Sequence, residues 1–106
     1  MVIVINRMMQ RIANGKWDEL EEIDAKYNER EAGLGFPPKK RYRYLFGEDT
    51  NVIVIEREWQ SLSKMEKIMT KSFLDPETQK LNERLEKIVE WQKLEILVPH
   101  PPFPEQ

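Results

Sequence analysis

The stretch NVIVIEREW, residues 51–59, decides the fold. A strand with one face in water alternates apolar and polar residues, yet Val52, Ile53, Val54 and Ile55 run apolar without a break. Their β-branched side chains crowd a helix and pack well on a pleated surface, so the stretch predicts a strand. Before it, Gly47-Glu48-Asp49-Thr50-Asn51 has the length and composition of a hairpin connection. Earlier still, from Lys39 to Phe46, Tyr42, Tyr44 and Phe46 alternate with Arg41, Arg43 and Leu45. That period of two marks the partner strand.

Outward from this hairpin the remaining elements follow. The chain opens on Val2, Ile3, Val4 and Ile5, a first strand reaching about residue 10. After the turn signal Asn14-Gly15, the residues Trp17, Leu20, Ile23 and Tyr27 recur at helical spacing from Lys16 to about Ala32. Gly33 and Gly35 stop that helix, and Pro37-Pro38 prevents its return. Past Trp59, Ser63 and Glu66 match a capping box, opening a helix to about Phe73. Asp75-Pro76 restarts it, with Leu81, Leu85, Ile88 and Trp91 along one face. Leu94 to Val98 is a last strand, and the prolines from Pro99 to Pro104 form an extended tail. The order β-α-β-β-α-β predicts an α+β, ferredoxin-like domain over residues 1–98, an antiparallel sheet with its helices on one face, and a tail over residues 99–106.

The chain has 106 residues, the size of a single domain, and a formal net charge of −2 that draws it to neither nucleic acid nor anionic membrane. It has no cysteine, which excludes disulfides, thiolate metal sites and cysteine nucleophiles and suits a reducing cytoplasm. No apolar run approaches the roughly 20 residues of a membrane span, and the start lacks the pattern of a signal peptide. A soluble, cytoplasmic protein is expected.

Helices on one face leave the other face of the sheet bare. Val2, Ile3, Val4 and Ile5, and again Val52, Ile53, Val54 and Ile55, place apolar side chains on both. Such a bare face exceeds what soluble monomers usually expose. Burying a Val or Ile stabilises by roughly 1.5–3 kcal/mol, so several per subunit can drive association. A second copy, sheet against sheet, is the economical cover and predicts a homodimeric α+β barrel.

The residues Gly47 to Glu66, GEDTNVIVIEREWQSLSKME, resemble the signature of the NIPSNAP family: a Gly-containing hairpin, an Asn opening an apolar strand, then a Trp and Ser-Leu before a helix. The resemblance implies the dimeric α+β barrel superfamily, which includes antibiotic-biosynthesis-type monooxygenases and haem-degrading enzymes. The haem-degrading members share a strand Asn, a Trp and a helix His. Asn6 and Trp59 match the first two, but no His lies between Lys64 and Trp91, and His100 sits among the prolines. Haem ligation by that route is therefore not expected, and neither is any other cofactor.

The candidate ligand pocket is Asn6, whose amide both donates and accepts, with Tyr27, Tyr42, Tyr44 and Trp59 as aromatic walls. Aromatics at these spacings serve equally as core. The basic run Lys39-Lys40-Arg41-Tyr42-Arg43-Tyr44 suggests RNA, but the central strands of that fold would carry stacking aromatics, and VIVIN and NVIVIE have none. The run is expected to meet the acidic first helix (Asp18, Glu19, Glu21, Glu22) or solvent. Glu56 and Glu58 share a strand face and read as a solvated pair; no metal site, nucleophile–base pair or phosphate loop is visible. Two functions remain, with catalysis left open: a binding protein for a small apolar or aromatic molecule held between sheet and helices, or a cofactor-independent monooxygenase-like enzyme acting on an aromatic or quinol-type compound.

Overall fold

A computed structural model describes residues 2–47 and 49–101. Residues 102–106 of the expected tail, and Glu48 of the hairpin connection, lie outside the described residues. The elements are β1 (Val4–Ile12), α1 (Trp17–Leu34), β2 (Lys39–Arg43), β3 (Val52–Trp59), α2 (Leu62–Leu74), α3 (Pro76–Glu86) and β4 (Val89–Leu97). The sheet order is β2-β3-β1-β4 with every neighbour antiparallel, the ferredoxin-like arrangement. All three helices pack on one face, and the molecule is only 18 Å deep along its shortest axis, one helix layer on one sheet layer.

Local chemistry sets the boundaries. Helix α1 ends where Gly35 takes the left-handed conformation (φ 90°) and donates its N–H to the Glu31 carbonyl at 3.1 Å. Asp75 caps α3 as expected, accepting from the Thr78 N–H, with Pro76 behind it at the first helical position. Helix α2 starts before its expected capping box. Ser61, in extended backbone, accepts the Lys64 N–H at 3.1 Å, so the cap is Ser61 and not Ser63. The last helix also stops short of Trp91. Ile88 and Val89 are β-branched, and β4 takes over at Val89, pairing Trp91 with Arg11 of β1.

Along β1 the even residues face the helices, and across the register they stand beside the odd residues of β3. The core formed there is double. Ile12, Leu20, Ile23, Ile53, Leu81 and Ile88 fill one end, and Val4, Trp59, Met65 and Ile68 fill the other. The apolar runs divide between faces accordingly. Val4, Ile53 and Ile55 look toward the helices, while Ile5, Val52 and Val54 look away; Val2 and Ile3 precede the strand. Val4, Val52 and Ile53 are already buried within one chain, so they require no partner.

The open face is also less apolar than the opening strands suggest. Lys40, Glu56, Arg7 and Glu95 stand side by side across all four strands, a row of alternating charge. Arg7 Nε donates to Glu56 Oε2 at 2.8 Å, and its guanidinium lies 3.8 Å from Glu95. Tyr42, Val54 and Met9 flank the row on one side, and Ile5 and Leu97 on the other.

Candidate functional site: a cavity between sheet and helices

Strand β1 reads Val4, Asn6, Met8, Gln10, Ile12 along its helix-facing side. The two branched ends join the two cores, and the three middle positions are polar or flexible. Strand β3 repeats this with Trp59 and Ile53 in the cores and Arg57 and Ile55 between. Because the middle residues do not fill the space beneath the helices, a cavity of about 600 Å³ separates the two cores. Its floor is Asn6, Met8, Gln10, Ile55 and Arg57, and Tyr27 and Leu85 are in its roof.

A buried ionic network closes the side nearest β2. Lys39 Nζ lies 2.5 Å from Asp24 Oδ1 and 3.4 Å from Glu31 Oε1. Arg57 reaches Glu31 at 2.6 Å and donates to the Pro37 carbonyl at 2.7 Å, with its guanidinium 4.7 Å above the Phe36 ring. Arg57 is 8% exposed, and each charge here has an opposite partner, the condition under which buried charges are tolerated. On the roof, Tyr27 donates its hydroxyl to Asn82 Oδ1 at 2.5 Å. Burial, reinforced by the nearby Glu31 and Asp24 charges, pushes the Tyr27 phenol well above its ordinary range, so it holds its proton and acts as a donor.

Two polar atoms of the floor are left over. Asn6 is 5% exposed and Gln10 4%, yet Asn6 Nδ2 and Gln10 Oε1 have no hydrogen-bond partner. Gln10 spends its amide N–H on Gln92 Oε1 at 3.4 Å, which leaves its carbonyl oxygen free. Buried polar atoms without a partner are rare in proteins and mark either a cost or a missing ligand.

Of the residues anticipated as a pocket, the fold brings together Asn6 and Tyr27. Trp59 lies inside the second core with its ring edge-on to Phe36 at 5.6 Å. Tyr42 points to the open face because its cross-strand neighbour Val54 does, and it is 48% exposed. Tyr44 follows the end of β2 and packs its ring against Gly47, where a Cβ would lie 3.0 Å away. The helix-facing positions of β2 are taken by cations, since α1 presents carboxylates there: Lys39 to Asp24, and Arg41 to Glu21 through two bonds of 2.9 Å. Glu19 and Glu22, also anticipated for the basic run, hold Arg84 of α3 instead. Gln10, Lys39 and Arg57 were not anticipated as pocket residues, although Lys39 belongs to the basic run expected to meet the first helix, as it does at Asp24. The available signal was the phase of β1, which puts Asn6 and Gln10 on the same side as Val4 and Ile12.

Among the described residues no group of three or more His, Cys, Asp or Glu side chains could hold a metal ion. No helix among them is long and apolar enough to cross a membrane.

No family model and no curated protein matches the sequence. Solved structures do match. A NIPSNAP family protein from Agrobacterium tumefaciens is 19% identical, covers 92% of this chain and 86% of its own, and superposes with a TM-score of 0.79. An uncharacterised NIPSNAP domain protein from Burkholderia xenovorans is 20% identical over 96% of this chain and 99% of its own, with a TM-score of 0.72. A Nitrosomonas europaea protein named for the antibiotic biosynthesis monooxygenases is 8% identical over 92% of this chain and 89% of its own, with a TM-score of 0.70. The chain thus has the α+β fold found in NIPSNAP family proteins, and at these identities the likeness carries the fold alone.

Proposed function

We propose that this protein binds a small molecule with an apolar or aromatic body in the cavity between sheet and helices. The observation that carries the reading is the cavity itself, an apolar floor of Met8 and Ile55 flanked by the polar residues Asn6 and Gln10, beneath the proton-holding Tyr27. The volume of about 600 Å³ is that of a small-molecule site.

Native mass spectrometry of the gently purified chain tests this, together with titration of the neutral fluorophore N-phenylnaphthylamine. Retained extra mass, or saturable emission enhancement that Met8→Trp abolishes by filling the space, supports the reading. A bare protein with no saturable response overturns it.

The second reading, an oxygenase, draws on the fold shared with the Nitrosomonas europaea protein. A quinol-type substrate would supply the electrons to oxygen, and Asn6 would donate to the developing anion. A base is needed to take the substrate proton. Asp24 and Glu31 are each held by cations, and Tyr27 keeps its proton, so binding is the reading we favour.

The partner we assign to the open sheet face is a second copy of the chain. The row Lys40-Glu56-Arg7-Glu95 supports this, because reversed end for end it sets opposite charges against each other. Tyr42 and Trp91, both exposed on this face, would gain burial there. The cytoplasm, suggested by the absence of cysteine, is the location we propose.

A further inference from the structure

Helix α2 turns Met65 and Ile68 inward to the second core and presents two unlike flanks to solvent. On one flank Leu62, Met69 and Phe73 recur at helical spacing, and Leu74 follows. Phe73 is 72% exposed and Leu74 67%. The other flank carries Lys64, Lys67 and Lys71, all exposed, with the small residues Ser63 and Thr70 between the two. Glu66 is the one acidic residue of the helix. Lys64 reaches the Gln60 side-chain oxygen at 3.2 Å, and among the described residues none of the three lysines pairs with a carboxylate.

Folding accounts for neither flank. A cation in the first turn opposes the helix dipole, yet Lys64 stands there with no acidic residue in that turn. Phe73, Leu74 and Met69 border a shallow groove with Glu66 and Thr70, and contiguous apolar surface of this kind marks an interaction site. The patch also meets the cavity. Met69 and Phe73 line both the groove and the space between sheet and helices, so the exposed Phe73 stands at the mouth.

Whatever covers this face must accept rings and alkyl chains on one flank and meet cations on the other. A bilayer with anionic headgroups does both. A second copy brings three more lysines and one glutamate, so charge opposes that pairing. The net charge of −2 gives the chain no general pull to an anionic surface, so the attraction is local to α2.

We propose that α2 docks this protein peripherally on an anionic phospholipid bilayer. Phe73 and Leu74 enter the boundary between headgroups and acyl chains, and Lys64, Lys67 and Lys71 meet the lipid phosphates and carboxylates. The mouth of the cavity then opens onto the bilayer, where a sparingly soluble ligand is concentrated. That last step rests on the binding reading above, whereas the docking stands without it.

Co-sedimentation of the full chain with vesicles of phosphatidylcholine, alone or mixed with phosphatidylserine, tests the proposal. The mixed vesicles are expected to bind on the order of a hundredfold tighter, about fivefold for each lysine. Replacing Lys64, Lys67 and Lys71 together by glutamine should abolish that preference. Phe73→Ser with Leu74→Ser should weaken binding to both kinds of vesicle by about tenfold. A control with the same loss of charge elsewhere, Lys16→Gln, Lys26→Gln and Lys93→Gln, should bind as the unaltered chain does. No binding to either vesicle, an equal loss in the control, or α2 variants that bind unchanged overturn the docking. Loss of self-association in the serine variant, with vesicle binding unmoved, overturns it in favour of a contact between copies. The comparison of the two vesicles with the unaltered chain decides the matter even if a variant does not fold. Titration of N-phenylnaphthylamine without vesicles reports on the cavity alone, so either reading can fail while the other stands.

Discussion

Arg30 holds Asp75 through two bonds, Nη2 to Oδ1 at 2.6 Å and Nε to Oδ2 at 3.0 Å, and so fastens α1 to the junction of α2 and α3. The same carboxylate caps α3, accepting from the Thr78 N–H at 3.0 Å and its hydroxyl at 2.8 Å. These donors, the Arg30 guanidinium foremost, bring the Asp75 carboxyl down to about 2. Its folded value lies below the unfolded one near 3.9, so its contribution is complete above that unfolded value and fades as pH falls toward about 2. We expect Asp75→Ala to lower Tm at neutral pH and to flatten the stability profile between pH ~4 and ~2. Thermal denaturation across that range checks it. An unchanged acid slope in the variant would mean that Asp75 does not bind its proton more weakly when folded.

The network beside the cavity makes a different demand. Lys39 and Asp24 side chains are each only 10% exposed and lie 2.5 Å apart. Removing the Asp24 charge leaves buried Lys39 with Glu31 alone, at 3.4 Å and already held by Arg57, whereas replacing both Asp24 and Lys39 with apolar side chains of similar volume is often close to neutral. We therefore expect Asp24→Asn to destabilise more than the double variant Asp24→Leu with Lys39→Met. Arg57 still neutralises Glu31 in the double variant, and Glu21 still holds Arg41. Urea denaturation ranks the two, and the reverse order would refute the account.

Much of this fold is legible in the sequence, and the losses have physical causes. The β-branched runs and the Trp17-Leu20-Ile23-Tyr27 stripe state their elements because periodicity is local. Asp75-Pro76 states a helix start because cap and proline act within one turn. Trp91 misleads: three residues after Ile88, it continues the helical spacing, and only pairing with Arg11 makes it part of a strand. The site suffers most. Strand phase sets the faces of Gln10 and Arg57, but whether that face is covered depends on register against distant chain, which nothing local announces. Tyr42 of β2 misleads because apolar character alone would turn it inward, while ion pairing with α1 turns Lys39 and Arg41 inward instead.

Trp59 separates packing from binding. It is 2% exposed, in the core with Val4, Met65 and Ile68, and does not line the cavity. Trp59→Ala is expected to cost about 3–5 kcal/mol of stability. Trp59→Phe, which keeps an aromatic ring against Phe36, should bind N-phenylnaphthylamine as the unaltered chain does. A large loss of probe affinity in a folded Trp59→Phe would place this residue in the binding site after all.

The charge row gives the dimer proposal its sharpest test. In the sheet order β2-β3-β1-β4 the row reads positive at Lys40, negative at Glu56, positive at Arg7 and negative at Glu95. A face-to-face pair whose two-fold axis runs parallel to the strands sets Lys40 against the partner's Glu95, and Glu56 against the partner's Arg7. An axis along the row would set like against like. Lys40→Glu should therefore weaken the dimer, with little effect on the fold because Lys40 is exposed. Adding Glu95→Lys should restore it, since the swapped row is again complementary to its own reverse. Sedimentation velocity at low and high salt reads this directly. We expect the single variant to shift toward monomer, the swap to recover, and salt to erase the difference as it screens the exposed rim. A monomeric unaltered chain would sink the dimer, and a swap that fails to rescue would sink this orientation of it.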